Sequence, residues 1–212
     1  IRTAAGAFFD IKVIGKGGHG AFPQFAIDPI TIAAEIISAI QTIISRSTSP
    51  NESAVLSITK MHAGDAYNVI PEKAVLSGTV RTFTIEKMQE IEQQMVSISE
   101  GISKAHGGTA LVEFNTLFLP VLNEERATNL ATEVCGDIVG QDNVITTGSA
   151  GTGSEDFSFM SNEVPGCYVI IGNGEDSNAL HNPNFDFNDE ALVYGGSFFA
   201  RVIEKELALD QV

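Results

Sequence analysis

Cysteine, positive charge and long apolar runs are all scarce in this sequence, and each scarcity excludes a class of protein. The only two cysteines, Cys135 and Cys167, are too far apart in sequence to make a disulfide framework or a zinc knuckle. The chain has 12 Lys and Arg against 27 Asp and Glu, a net charge of −15. This balance argues against a phosphate-backbone partner, which needs clustered basic residues, and against anionic lipid. No apolar run reaches the roughly 18 residues of a membrane-spanning helix. We therefore expect no nucleic-acid partner and no membrane.

The start of the chain also lacks familiar signals. It opens with Ile1-Arg2-Thr3, which is neither an initiator methionine nor a signal-peptide pattern. Its 212 residues are enough for one large domain or two small ones. We expect a cytoplasmic protein, and we expect Ile1 to lie inside a longer sequence.

The first part of the sequence alternates strand and helix patterns in the order β-α-β-β-α-β. Phe9, Ile11 and Val13 alternate with polar residues, as in a half-buried strand. The helix and strand patterns that follow lie at about residues 27–44, 54–60, 74–83, 86–106 and 111–114. This order predicts a ferredoxin-like α+β domain over residues 7–116.

The first helix pattern is unusually wide. Ile30, Ile37 and Ile44 belong to one apolar stripe, and Ile36 and Ile43 belong to a second stripe beside it. One face of a sheet does not cover so wide an arc. Either a partner subunit or a neighbouring domain covers its second side, or the helix is an unusually buried core helix.

Residues 117–212 read as an incomplete α/β domain. Asn123 can cap a helix whose first turn holds Glu124 and Glu125, an ordinary place for acidic residues. The run Cys167–Gly172 predicts a strand buried on both faces, as in the middle of an α/β sheet. A final helix pattern runs from about Glu190 to Leu207. One buried strand with two or three helices is too little for a sheet domain, so the first half of this domain is expected to be absent.

Two histidines are candidates for chemistry. His19 lies in the glycine-rich turn Gly15–Pro23, where an imidazole can exchange a proton or bind a metal, although a surface histidine in a flexible turn is the plain alternative. His181 lies in a loop after the predicted buried strand, where α/β folds place their sites. A lone histidine is more often not a metal ligand, because metal sites need several donors.

Two polar positions are candidates for binding. Arg81 projects from the polar face of its strand, beside Ser77 and Thr79, and can hold a carboxylate or form a weak surface ion pair. The turn at Gly153-Ser154 can bind an anion with its backbone amides, or Ser154 can simply cap a short helix over residues 155–160.

Six motifs together resemble the M20 family of metal-dependent amidohydrolases and peptidases. The nearest branch contains N-acyl-amino-acid amidohydrolases, hippurate hydrolases and plant auxin-conjugate hydrolases. The motifs appear in the family's order, at residues Gly15–Pro23 with Asp28-Pro29, Asn68–Pro71, Gly78–Phe83, Gly153–Phe157, Gly172–Gly174 and His181–Phe185.

The resemblance implies a domain organisation and a cofactor. Residues 7–116 would be a ferredoxin-like lid domain that pairs two subunits into a homodimer, inserted into a zinc-peptidase-like α/β catalytic domain. Residues 117–212 would be the C-terminal part of that catalytic domain. Members of the family use two divalent metal ions, zinc or else manganese, cobalt or nickel. These metals polarise the amide carbonyl of a small N-acyl amino acid and activate a water, whose proton a glutamate passes to the leaving amine.

The resemblance also implies roles for particular residues. His181 would be the last ligand of the two-metal site, and His19 would reach the partner subunit's active site and stabilise the oxyanion. Asn68 and Arg81 would orient the substrate, Arg81 by its carboxylate, and Gly153 and Ser154 would form part of the binding wall.

The remaining metal ligands and the general base of the family should precede Ile1. The chain alone is therefore expected to be inactive and to bind metal poorly, because one histidine is not a metal site. The alternative from another class is a non-catalytic oligomerisation module built on the ferredoxin-like domain.

Overall fold

Four strands of ten residues each dominate the computed structural model, which describes residues 1–148 and 150–207. In chain order the strands and α-helices are β1 (Ala5–Ile14), β2 (Gly18–His19), α1 (Pro29–Arg46), β3 (Ala54–Ala63), β4 (Val69–Ile70), β5 (Lys73–Thr82), α2 (Ile85–Ala105), β6 (Thr109–Phe118), α3 (Glu125–Val139), α4 (Phe157–Glu163) and α5 (Ala191–Glu206). Short 3-10 helices lie at Pro23–Phe25 and Gln141–Asn143. In the part of the chain described, no helix is long and apolar enough to cross a membrane.

The long strands form one antiparallel sheet in the order β3-β5-β1-β6. The first and third long strands lie in the centre, and helices follow the first and the third, which is the ferredoxin-like arrangement predicted from the sequence. Thr59 is an extra residue in β3, where the register with β5 shifts between Ile58 and Lys60. Strand β3, at one edge of the sheet, therefore contains a β-bulge.

One face of the sheet makes the core. In β1 the odd-numbered residues from Ala5 to Val13 are buried, whereas Phe8 and Ile14 on the other face are half exposed. In β5, Leu76, Gly78 and Val80 point into the core. The other face, with Ser77, Thr79 and Arg81, carries the polar side chains that the two-residue period predicts.

Helix α1 is buried on two sides within its own unit. It packs on the sheet and against α2, so Ile32, Ile36 and Ile40 are fully buried, and Ile37 is partly buried against the same core. Among the isoleucines of α1, only Ile30, at the start of the helix, is exposed, at 38%. The width of the apolar arc is therefore explained by α2, and the buried-core alternative accounts for it without a partner subunit.

The ends of these helices follow ordinary capping rules. Asp28 accepts a hydrogen bond from the backbone N–H of Ile30 at 2.9 Å, and Pro29 occupies the first turn, where its missing N–H costs nothing. Thr84 caps α2 by accepting from the N–H of Lys87 at 3.2 Å. Gly107 follows α2 with φ of +79°, a left-handed conformation that glycine adopts without strain.

The described residues divide into two compact units. The first unit contains Ile1–Val121 and Ala150–Phe159, and the second contains the rest of the described chain. In the second unit α3 contacts α5, and Lys205 of α5 pairs with Glu133 and Asp137 of α3 at 2.7 and 2.8 Å. The predicted domain boundaries, at residues 7–116 and 117–212, stay a prediction.

The predicted buried strand at Cys167–Gly172 is wrong as a local structure. These residues are not part of any strand, and Ile170 is 64% exposed. A strand of a parallel sheet exists only when neighbouring strands accept and donate its backbone hydrogen bonds. Among the described residues of the second unit there is no strand to do so.

The cap of α3 also differs from the prediction. Glu124, not Asn123, caps the helix, and its carboxylate accepts from the backbone N–H groups of Arg126 and Ala127 at 2.9 and 2.7 Å. These two bonds lower the pKa of Glu124 below its ordinary value, because they favour the charged form. Asn123 instead bonds Tyr168 through both its amide oxygen and its amide nitrogen.

Candidate active site

The glycine-rich turn is joined to the segment that contains Asn68. Strand β2 pairs with β4 so that His19 lies opposite Val69, and the N–H of Gly20 donates to the carbonyl of Asn68 at 2.8 Å. The turn begins at Gly15, which must be a glycine because a Cβ there would lie 2.1 Å from the carbonyl oxygen of Ile27. Two of the predicted site residues, His19 and Asn68, therefore lie in adjoining segments.

The His19 ring is held with one nitrogen turned outward. Its Nδ1 accepts a hydrogen bond from the backbone N–H of Ala21 at 3.1 Å, and the ring contacts Phe22 with centroids 5.4 Å apart. Because Nδ1 accepts, the neutral ring carries its proton on Nε2. The side chain is exposed, so this N–H can donate to a negatively charged group on a ligand.

Asn68, in the turn just before β4, is a second exposed polar residue. Its side-chain amide bonds none of the described residues, and its backbone carbonyl is taken by Gly20. An amide with unused donor and acceptor atoms can bind a polar ligand group. The structure thus leaves the side chains of His19 and Asn68 both available.

Arg81 lies on the open face of the sheet without an acidic partner. Its Nη1 donates to the hydroxyl of Thr79 and to the carbonyl of Val80, the latter at 2.9 Å, and its Cζ lies 5.8 Å from the centroid of the Phe8 ring. No carboxylate of the described residues pairs with it. In a chain with a net charge of −15, an arginine left without a carboxylate is a candidate anion-binding group.

Ser154 adjoins Arg81 in the first unit. The N–H of Ala4 donates to the carbonyls of Gly151 and Gly153 at 3.1 and 3.0 Å, which brings this loop beside the start of β1. A Cβ on Gly6 would lie 2.5 Å from the Oγ of Ser154 and 3.4 Å from the Cζ of Arg81. Arg81 and Ser154 thus flank the same glycine, a juxtaposition that no sequence pattern signalled.

The alternative in which Ser154 caps a helix over residues 155–160 is wrong. Helix α4 begins at Phe157, whose backbone N–H donates to the carboxylate of Glu155 at 3.4 Å. The Oγ of Ser154 is buried and bonds no described residue. Its hydroxyl is therefore not used by the helix.

His181 lies in the second unit, at the tip of a loop braced by asparagines. The side chain of Asn173 donates to the Oγ of Ser177 at 2.6 Å and to the carbonyl of Asp186 at 2.8 Å, and accepts from the N–H of Asn188 at 2.8 Å. His181 is exposed and has φ of +68°, which is uncommon for a residue with a side chain. The brace at Asn173 holds the neck of the loop together.

The geometry around His181 bears on metal binding. An exposed imidazole such as that of His181 is a suitable ligand for zinc and its neighbours. Within residues 1–148 and 150–207, however, no group of three or more His, Cys, Asp or Glu side chains is arranged to hold a metal ion. The described residues therefore do not themselves form a metal site, and His181 can supply only one ligand of such a site.

Known proteins resemble the chain along nearly all of it. It is 37% identical over 195 residues to an N-acetylcysteine deacetylase of Bacillus subtilis, covering 92% of this chain and 50% of that protein. It is 34% identical over 199 residues to a hippurate hydrolase of Campylobacter jejuni, covering 94% and 52%. A crystal structure of a dinuclear metal-binding peptidase of the M20 family from Bacillus subtilis superposes with a TM-score of 0.77 at 31% identity, covering 97% of this chain and 51% of that one.

These similarities confirm the predicted resemblance and fold class. The chain spans about half the length of the curated relatives it matches. The family profile of the peptidase dimerisation domain matches residues 4–107, which contain β1 to α2. Residues 4–107 are thus an M20 peptidase dimerisation domain, and the chain belongs to the M20 family.

Proposed function

We propose that this chain is the lid and the C-terminal part of a metal-dependent hydrolase that cleaves the amide bond of N-acyl amino acids. The observation that carries the proposal is similarity over more than nine tenths of the chain to an N-acetylcysteine deacetylase and to a hippurate hydrolase. Acetylcysteine and hippurate are both N-acyl amino acids with a free carboxylate. A hydrolase for this class needs a cation for the carboxylate and a donor for the oxyanion.

The residues of the first unit supply groups for both tasks. Arg81 holds the substrate carboxylate, since no carboxylate of the described chain occupies it. His19 donates from Nε2 to the oxyanion that forms at the amide carbon, because its Nδ1 is occupied by Ala21. Asn68, Gly153 and Ser154 make further contacts with the substrate.

We further propose that His181 is one ligand of a two-metal site whose other ligands lie in sequence outside this chain. The exposed apolar surface of the second unit supports a missing part of the domain. Ile170, Leu192, Val193 and Phe199 are each more than 60% exposed. Leu192, Val193 and Phe199 lie on one helix, α5, and exposed apolar side chains grouped in this way are expected to be covered by further protein.

The proposed function is tested by measuring hydrolysis of N-acyl amino acids by the protein expressed from its full reading frame. We expect release of acetate from N-acetylcysteine and of benzoate from hippurate, abolished by a chelator and restored by a divalent metal. The matched substrates are the carboxamides of the same compounds, which keep the scissile amide and lack the carboxylate. If the carboxamides are cleaved as well as the acids, Arg81 does not bind a carboxylate.

A mixing experiment tests the pairing of subunits. His19→Ala and His181→Ala should each be inactive alone. If His19 acts in the partner's site, random re-pairing should restore about a quarter of the activity, because half the dimers are mixed and each mixed dimer has one intact site. Activity that stays absent in verified mixed dimers would refute action across the dimer.

A pairing module without catalysis remains the second candidate, because the matched profile is a dimerisation domain. It predicts a dimer with no hydrolysis at the full length of the protein. Intact mass and metal content of the same purified sample distinguish the two: the enzyme should contain about two metals per chain, as two-metal hydrolysis requires, and the module none.

A further inference from the structure

We propose that Thr79 and Phe8 are positioning residues that fix the Arg81 guanidinium and turn its Nε and Nη2 edge toward a ligand carboxylate. We also propose that Gly6, which lies beside the Cζ and Nη1 of Arg81, leaves the space that the guanidinium needs to hold this position. The inference rests on the proposed role of Arg81 as the carboxylate-binding group. It adds the residues that set the direction of that group.

The register of the sheet brings these residues together. In the pairing of β1 with β5, Gly6 lies opposite Arg81 and Phe8 lies opposite Thr79. All four are on the open face, because side chains two residues apart in a strand share a face. A guanidinium from β5 thus has a glycine across from it and an aromatic ring diagonally beside it.

Thr79 is held in one orientation by the strand next to it. Its hydroxyl donates to the carbonyl of Ala7 at 3.1 Å, so its oxygen presents lone pairs to the Nη1 of Arg81. Nη1 also donates to the carbonyl of Val80 at 2.9 Å. Both protons of Nη1 are therefore engaged, and the donors left over are the Nε–H and the two Nη2–H groups. A carboxylate accepts from this pair of nitrogens in a bidentate manner.

Phe8 covers one side of the guanidinium. Its ring centroid is 5.8 Å from the Cζ of Arg81, within the distance at which a cation is attracted to an aromatic face. The ring is 53% exposed, so burial in the core does not explain its presence on the open face. It displaces water from the cation and restricts rotation of the side chain.

Gly6 makes the close approach possible. A Cβ at this position would lie 2.5 Å from the Oγ of Ser154, a separation that real Cβ atoms do not show, and 3.4 Å from the Cζ and Nη1 of Arg81. Gly6→Ala must therefore displace the Ser154 hydroxyl or the guanidinium. Because Ser154 has no bonded partner among the described residues, its hydroxyl is expected to move first.

Enzyme kinetics at the full length of the protein test the positioning role. In Thr79→Val, which replaces the hydroxyl with a methyl group of similar size, we expect KM for N-acetylcysteine to rise about tenfold with kcat within about twofold, a loss of uniform binding. Thr79→Ser keeps the hydroxyl and should behave as the wild type. Cleavage of the carboxamide substrate should not change in either variant. Ser77→Ala, on the same face of the same strand, is the matched control and should also leave KM unchanged.

A second measurement does not depend on activity. In the 212-residue chain, the Nε–Hε NMR signal of Arg81, identified by its loss in Arg81→Lys, should be shifted by the Phe8 ring current. Phe8→Leu should remove that shift, and Thr79→Val should broaden the signal, whereas Thr79→Ser and Ser77→Ala should preserve it.

The outcomes separate the two proposals. Equal cleavage of acid and carboxamide by the wild type would refute carboxylate binding by Arg81, and the NMR series alone would then decide whether Thr79 and Phe8 fix the guanidinium. A normal preference for the acid, together with an unchanged KM in Thr79→Val and an unmoved Arg81 signal in Phe8→Leu and Thr79→Val, would overturn the positioning role while leaving the proposed function intact.

Discussion

Replacing Gly78 with alanine should destabilise the sheet that carries Arg81. Gly78 faces the core from β5, where a Cβ would lie 2.1 Å from the carbonyl oxygen of Ser57 and 2.5 Å from the Cζ of Phe9. An aromatic ring can rotate away from a methyl group, but a carbonyl in a paired strand is fixed by its ladder. The strands β3 and β5 must therefore separate locally to admit the side chain.

The expected cost follows from these two contacts. Overpacking a close-packed core typically costs about 1–3 kcal/mol. We expect Gly78→Ala to lower the free energy of unfolding by about 3 kcal/mol, the upper end of that range, because the backbone contact cannot be relieved by a rotamer. Gly101→Ala is the control, since this exposed glycine in α2 has nothing within 4 Å of an added Cβ. It should raise the free energy of unfolding by about 0.5–1 kcal/mol through helix propensity.

Urea unfolding of the 212-residue chain, followed by circular dichroism, gives both numbers. A double variant, Gly78→Ala with Phe9→Leu, separates the two contacts. It should recover only part of the lost stability, because a smaller side chain at position 9 leaves the clash with the Ser57 carbonyl in place. Wild-type stability of Gly78→Ala, or full recovery in the double variant, would refute the assigned geometry.

Two further predictions concern stability. Hydrogen bonds from Ala127 and Arg126 hold the pKa of Glu124 below its ordinary value of 4.5, so its contribution to the free energy of unfolding is present above that pH and is lost as the pH falls. Glu124→Gln should therefore destabilise the chain at pH 7 in urea unfolding. The difference in stability from the wild type should shrink below pH 4. A constant difference across this range would contradict the cap. Ile40→Ala should cost about 2–5 kcal/mol because the side chain is fully buried, whereas Ile30→Ala, at the exposed start of the same helix, should cost less than about 1 kcal/mol; equal losses in thermal unfolding would contradict the packing of α1.

The first unit was largely predictable because its signals are local. Alternation of apolar and polar residues places Leu76 and Val80 on one face of β5 and Arg81 on the other, and the structure confirms this. The helical period of α1 predicted an apolar arc too wide for the sheet alone. That α2 covers its second side depends on how two helices lie on one sheet, which neither helix encodes by itself.

The second unit was less predictable because its sequence patterns are those of a larger domain. The apolar run at Cys167–Gly172 has the composition of a buried parallel strand, yet a strand needs neighbours that the described residues of that unit do not contain. The cap at Glu124 was missed because Asn123 is the more usual capping residue, and its amide is instead used by Tyr168.

The sequence by itself determined the order of helices and strands in the first unit, the family, and the motifs that contain His19, Asn68, Arg81 and His181. Only the tertiary structure decided which of these residues meet. The strand pair of two residues each that joins His19 to the Asn68 segment is too short to show a period. Arg81, Gly6 and Ser154 come together through the register of β1 with β5 and the bonds from Ala4 to the 151–153 loop. A local pattern fixes the face on which a side chain lies, but the register between distant segments is set by their pairing, and so the neighbours of Arg81 could be known only from the fold.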